Sequence, residues 1–374
     1  MNFGNLTLLV GPQGSGKSLF LELFKLIVDR KHVISTLKRY NYILKKDDAK
    51  NIIEDYFGEG MASLFDSNPQ IMFNGNSFDI KDLLVTLNKT KLNGTEKETV
   101  FYIPAQRILS MPEGRPKNFS EYDIASPYVL RIFSETLRVF LQGGLGSPNV
   151  IFPMRNRLKG QMKKNFNDAI FHNAQVVLDE STGQRKMKLR VGDMLLPFMT
   201  WSAGQKEFMP LLLAIYCLSG PPTSVIDKAG FEWVIIEEPE MGLHPKAIEA
   251  VLLEVIELIQ SGYKVIISTH SSTLLDFAWT FNFLKSLPEE KFKSAMGELF
   301  SVSASSSAIG LFDGLRDKEV KTYYSSLGKN GAELLDISDL DACSERTEVS
   351  DWGGLVSFSS LASDIVSKYA NQME

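Results

Sequence analysis

The chain of 374 residues is long enough for one large α/β domain, or for one domain carrying a sizeable insertion. With 44% apolar and 23% charged residues it can bury a full core, which excludes disorder and collagen-like architectures. A net charge of −5 argues against a protein that coats nucleic acid, and two cysteines and four histidines argue against a disulfide framework or a multi-histidine metal centre. The longest apolar run, Phe208 to Leu218, is too short to span a bilayer, and the N-terminus lacks a secretory pattern. A soluble, cytoplasmic protein with no membrane partner is expected.

In chain order, Leu6–Val10 is a short apolar run that predicts a buried strand ending at a glycine-rich loop. Lys17 to Asp29 has helical periodicity, with Leu19, Phe20, Leu23, Phe24 and Ile27 on overlapping faces. Thr99–Ile103 predicts another strand, stopped by Pro104. Residues 120 to 172 read as mainly helical, broken by Gly143, Gly144, Gly146 and Pro148. Gln175–Leu178 and Met187–Val191, joined through Ser181-Thr182-Gly183, predict a hairpin. Trp233–Ile236 and Val265–Ser268 predict short buried strands. Between them Pro245 opens a helix carrying Ile248, Val251, Leu252, Val255 and Ile259. Strand–helix–strand alternation of this kind implies a parallel sheet.

Charge is unevenly spread. Residues 155–190 hold nine Lys/Arg against three Asp/Glu, and residues 331–374 hold two against nine. A partner-facing surface and two ordinary solvated faces both account for this.

Gly11-Pro12-Gln13-Gly14-Ser15-Gly16-Lys17-Ser18 fits the phosphate-loop pattern G-x-x-x-x-G-K-[ST] in full. Glycines let backbone N–H groups turn around phosphates without a Cβ clash, and the following helix directs its positive end at them. Lys17 is placed to reach the β- and γ-phosphates of ATP, and the Ser18 hydroxyl to ligate Mg²⁺. The expectation is nucleotide binding.

Three further motifs follow. Ser202-Ala203-Gly204-Gln205 opens a strongly apolar helix; its hydroxyl and small-residue amides suit either a second anion site or an ordinary helix cap. Trp233-Val234-Ile235-Ile236-Glu237-Glu238-Pro239 carries two carboxylates to the C-terminal end of a strand, where open α/β sheets bind ligands. Glu237 is expected to hold Mg²⁺ and Glu238 to polarise the attacking water, because one acid is tied to the cation and the other is free. His270, in Ile267-Ser268-Thr269-His270-Ser271, ends the next strand of the alternation. His244, which precedes Pro245, is expected to serve the helix start.

Taken in this order, the four stretches resemble those of ATP-binding-cassette (ABC) ATPases, in the branch of RecF-like proteins, SMC heads of chromosome maintenance and OLD nucleases. The run Glu237-Glu238-Pro239-Glu240 to Leu243-His244-Pro245 is typical of OLD-like members, which include AriA-like ATPase subunits of bacterial anti-phage defence systems. The resemblance covers residues 1–30, 98–108 and 198–275. It implies an α/β P-loop NTPase of the ABC-ATPase type, a mainly parallel sheet flanked by helices, with an inserted helical lobe and a β-hairpin. The whole chain, 1–374, is then one ATPase domain, with the inserted lobe at about 109–198 and a C-terminal extension at about 276–374. Ser126 to Gln142 is a candidate short arm.

The resemblance also implies roles. His270 contacts the γ-phosphate, and Gln106 contacts Mg²⁺ and the attacking water. Ser202 to Gln205 complete the ATP site of a second copy, in a head-to-tail dimer that forms on ATP and separates after hydrolysis. Ala203 stands where glycine is usual, Glu237 where aspartate is commoner, and Ser272 where relatives often carry proline. Three outputs fit such a switch. It can control a separate effector, such as a nuclease or toxin, or bind DNA through residues 155–190 and Lys38-Arg39-Tyr40-Asn41-Tyr42 with Lys45-Lys46. It can also be a nuclease itself, but the acidic run Asp336-Ile337-Ser338-Asp339-Leu340-Asp341 has too little sequence after it for an OLD-type catalytic domain and reads as an acidic loop.

Overall fold

Leu6–Val10 shows no polar alternation, and every residue in it is buried, as a strand covered on both faces requires. The computed structural model describes residues 1–44, 48–66, 70–89, 96–145, 149–181, 183, 185–328, 331–341, 344, 347–350, 352, 354–355 and 357–370. The chain forms two compact units: residues 1–18, 159–172 and 236–374 make the first, and residues 19–158 and 173–235 the second.

In the first unit Leu6–Val10 is central. It pairs in parallel with Lys264–Ser268 on one side (Leu6 opposite Val265, Leu9 opposite Ser268) and with Val320–Gly328 on the other (Leu6 opposite Val320, Val10 opposite Tyr324). Gly331–Asp336 adds an antiparallel edge to Val320–Gly328, and the end of Trp233–Glu237 lies beyond Lys264–Ser268. The expected C-terminal extension therefore supplies two strands of the central sheet. Helix Pro245–Gln260 joins the strands Trp233–Glu237 and Lys264–Ser268, with Ile248, Val251, Leu252, Val255 and Ile259 buried as its periodicity predicts. Pro245 sits in its first turn, and His244 caps it by accepting a hydrogen bond at Nδ1 from the amide of Lys246 (3.3 Å).

In the second unit, Glu232 and Trp233 donate their amides to the carbonyl of Thr99, setting Val100–Ile103 beside the start of Trp233–Glu237. Lys25, fully buried on helix Lys17–Val28, donates to Asp29 (3.2 Å), Glu98 (2.7 Å) and the carbonyl of Val100 (2.6 Å), bolting that helix to the strand. A four-stranded antiparallel sheet runs Val150–Phe152, Gln175–Asp179, Lys186–Val191, Met194–Pro197. The anticipated hairpin is its middle pair; in its turn, Thr182 lies outside the described residues. The region expected to be mainly helical holds Tyr128–Val139, extended to Gly144, and Gly160–Phe166, extended to Phe171. Strand Val150–Phe152 separates them, and Gly146 and Pro148 are not described. Tyr128–Val139 is no protruding arm. Nine of its twelve residues are buried, including Arg131 and Glu135, so it is a core helix of this unit.

That core contains a titratable group that should be visible in solution. Asp55 is 2% exposed, and burial pushes its carboxyl from 3.8 up to about 6, against the opposing charge of Arg131. The Arg131 guanidinium bonds the Asp55 carbonyl oxygen and the Tyr42 hydroxyl. The folded protein thus keeps a proton that the unfolded chain has already released, so stability is highest below the unfolded value and is lost as pH rises through the folded one. Urea unfolding between pH 4 and 7 should show a decline of up to about 3 kcal/mol that Asp55→Asn removes; an unchanged slope in the variant would refute the assignment.

Candidate functional site

Lys17 begins its helix at 7% exposure, with its ammonium folded back over its own loop. It donates to the carbonyls of Gly11 (2.9 Å) and Pro12 (2.9 Å) and lies 3.5 Å from the Ser15 hydroxyl. Pro12, Gln13, Gly14 and Ser18 are exposed around it, while Ser15 is buried. Gly11 has φ +144°, and a Cβ there would lie 2.2 Å from the Ser325 carbonyl oxygen, so only glycine fits. Ser325 in turn donates its hydroxyl to the Ser15 carbonyl (2.8 Å). Strand Val320–Gly328 thus backs the phosphate loop, a support that the motif pattern does not reveal.

The acids sit at the end of a neighbouring strand. Glu237 closes Trp233–Glu237 at 3% exposure. Glu238 follows in the left-handed region (φ +42°), with its amide donating to the Ser268 carbonyl (2.8 Å). A non-glycine residue held there stores conformational cost, of the kind found at functional sites. Its turn presents the Glu238 carboxylate, Oε1 lying 3.5 Å from His270 Nε2, and both side chains are under a third exposed. Burial lowers the Lys17 ammonium below its ordinary value, opposed by the charges of Glu238, Glu237 and Glu240. Lys17 therefore lies within the electrostatic reach of all three acids. Lys17, Glu237, Glu238 and His270, distant in sequence, are assembled within one unit.

The donor set fits Mg²⁺. A serine hydroxyl exposed at the loop end and a nearly buried carboxylate are hard oxygen ligands, and Mg²⁺ characteristically takes one or two such groups plus phosphate oxygens. Ser18 and Glu237 would hold it. Among the described residues no group of three or more His, Cys, Asp or Glu could hold a metal without such help, and this covers Asp336, Asp339 and Asp341. Asp336 instead accepts from the amide (2.9 Å) and hydroxyl (2.5 Å) of Ser338, closing a turn.

The remaining expected site residues lie in the second unit. Gln106 is exposed at the start of the short turn Arg107–Ser110. Arg107 is fully buried and donates Nε to the carbonyl of Glu207 (3.1 Å), a structural role. Ser202 caps helix Ala203–Ser219 through a reciprocal box. Its hydroxyl accepts from the Gln205 amide (3.2 Å), and the Gln205 side chain accepts from the Ser202 amide (3.2 Å). Ser202 and Ala203 remain exposed, and Gly204 and Gln205 half-buried. Cap and surface are thus both present.

Much of the excess positive charge in residues 155–190 is answered internally. Lys159 pairs with Glu257, Arg185 with Glu180, Lys186 with Glu113 and Lys188 with Asp179, while Arg157 donates to the carbonyls of Tyr216, Pro221 and Gly144. Tyr40 stacks on Phe119 (4.3 Å between centroids) and so packs inward; Lys45 and Lys46 lie outside the described residues. Among the described residues, no helix is long and apolar enough to cross a membrane.

The sheet, phosphate loop, paired acids and histidine resemble those of P-loop ATPases of the ABC type, in the OLD-like and SMC-head branch. Residues 152–276 match the family described as "AAA domain, putative AbiEii toxin, Type IV TA system". The Old nuclease of Escherichia phage P2 is 52% identical over 42 residues, 11% of this chain and 7% of that protein, so the chain spans a small part of this relative. Among solved structures, the SMC head domain from Thermotoga maritima is 11% identical with a TM-score of 0.33, covering 90% of this chain and 92% of that one. An SmcHead structure bound to the C-winged helix domain of ScpA is 11% identical with a TM-score of 0.37, covering 90% and 91%.

Proposed function

We propose that the protein is an ATP-binding and ATP-hydrolysing switch that dimerises on ATP and controls a separate effector. The observation that carries this is the convergence of Lys17, Glu237, Glu238 and His270 in one unit, with Glu238 and His270 3.5 Å apart. In this reading Lys17 and the loop amides grip the β- and γ-phosphates, and Ser18 and Glu237 hold Mg²⁺, which supplies charge neutralisation at the phosphates. Glu238 accepts the proton of the attacking water, and His270 contacts the γ-phosphate. Ser202, Ala203, Gly204 and Gln205 of a second copy close the site; their exposure at a helix start supports this.

The effector is a nuclease or toxin in a cytoplasmic anti-phage or toxin–antitoxin-like system. The description of the matched family refers to a type IV toxin–antitoxin system, which supports a setting of that kind. The internal pairing of the bases in residues 155–190 weighs against direct DNA binding. Purified protein with Mg²⁺ and ATP should release phosphate and double its mass by light scattering, returning to the smaller species as ATP is consumed. A protein that keeps one mass and releases no phosphate would refute the reading.

A further inference from the structure

Glu240 ends the run Glu237-Glu238-Pro239-Glu240, and the proposed ATPase chemistry assigns it no part. Its carboxylate Oε1 accepts two hydrogen bonds from the histidine loop: one from the Thr269 hydroxyl (2.8 Å) and one from the backbone amide of His270 itself (2.6 Å). The loop has few other anchors. The Thr269 amide donates to the Leu9 carbonyl (3.0 Å), and the Thr269 hydroxyl also accepts from the Ser271 amide (2.9 Å). Thr269 is fully buried, so its hydroxyl is fixed between these two partners. The other carboxylate oxygen of Glu240, Oε2, is buried and has no hydrogen-bond partner among the described residues. A carboxylate half sheltered from water and not neutralised by an ion pair is costly unless its position does something. Here it ties the turn after Glu238 to the loop after Ser268, the two segments that carry Glu238 and His270.

We infer that Glu240 is a positioning residue: it fixes the His270 backbone so that the imidazole meets the Glu238 carboxylate at the mouth of the phosphate loop. The inference rests on the ATPase reading for its kinetic consequence, but not for its geometry. Charge-assisted bonds from a carboxylate to a backbone amide are short and directional, which suits them to fixing a catalytic loop. Glu240→Gln keeps an acceptor oxygen for both donors, whereas Glu240→Ala removes it.

The test has two arms. In the first, amide hydrogen exchange at His270 is measured on nucleotide-free protein. Wild type and Glu240→Gln should protect this amide alike, and Glu240→Ala should exchange it at least about tenfold faster, since the bond that shields it is gone. Unchanged exchange in the alanine variant overturns the inference. The second arm measures ATP turnover: Glu240→Ala should lower kcat about a hundredfold with KM for ATP shifted less than about threefold, as expected for a misplaced rather than a missing group. Glu240→Gln should recover most of the rate, and an equal loss in both variants overturns the positioning role. Thr269→Val, isosteric and lacking only the hydroxyl, should give an intermediate loss and provides a variant that remains foldable if Glu240→Ala does not. Wild-type protein that turns over no ATP would count against the proposed function, while the exchange arm would still judge Glu240.

Discussion

Lys17→Ala should weaken ATP binding by at least about a hundredfold, because a buried, charge-assisted contact to phosphate is lost together with the charge that balances the site. The lysine is nearly buried and holds the carbonyls of Gly11 and Pro12 at 2.9 Å each. Burial alone disfavours its charge, and the neighbouring Glu238, Glu237 and Glu240 offset that penalty. Removing it leaves three carboxylates near the ligand's phosphates with Mg²⁺ as the remaining cation between them, so the loop loses much of its attraction for phosphate. Lys17→Arg should not restore binding, since a forked guanidinium cannot sit where a compact ammonium meets two carbonyls of one tight loop. Titration with a fluorescent ATP analogue measures the effect; retained affinity in Lys17→Ala would remove the phosphate-loop reading itself.

Glu238→Gln should leave ATP binding intact and slow hydrolysis by about a thousandfold, within the range that a positioned general base supplies. The substitution preserves size and the unusual φ of +42°, yet an amide cannot take a proton from water. In the dimer reading the trapped, unhydrolysed nucleotide should hold two copies together. Single-turnover phosphate release and light scattering on the same sample test both consequences. An unchanged rate would strip Glu238 of its role, and a slowed rate with no long-lived dimer would leave hydrolysis but not the switch.

The residues of the candidate site are easier to pick out in the sequence than the strands and helices that support them. The phosphate loop, the acid pair and the histidine are dense local patterns whose residue types follow from what they must bind, and the structure assembles them in one unit. Strand Val320–Gly328 escaped because its sequence is rich in Ser, Thr and Tyr and reads as polar. Thr322 and Ser325 are nevertheless buried, because the parallel pairing with Leu6–Val10 encloses them. The hairpin Gln70–Phe73 with Asn76–Asp79 had a readable signal, Asn74-Gly75, and both turn residues have positive φ, as a two-residue hairpin demands. Periodicity saw the helix of Tyr128–Val139 but not its burial, since Arg131 and Glu135 look like solvent-facing residues until their partners are known. The roles of Ser325 and Glu240 depend on contacts spanning 310 and 30 positions, beyond any local window.

The bond from Ser325 to Ser15 has a temporal meaning. The wall against which the nucleotide cradle rests is translated some three hundred residues after the cradle itself. During synthesis the loop emerges early and waits, formed in sequence but unsupported in space, until the far strand arrives to pair beside Leu6–Val10. A chain cut off before Val320 therefore lacks the wall that Ser325 supplies, and the order of the phosphate loop is expected to depend on residues made long after it.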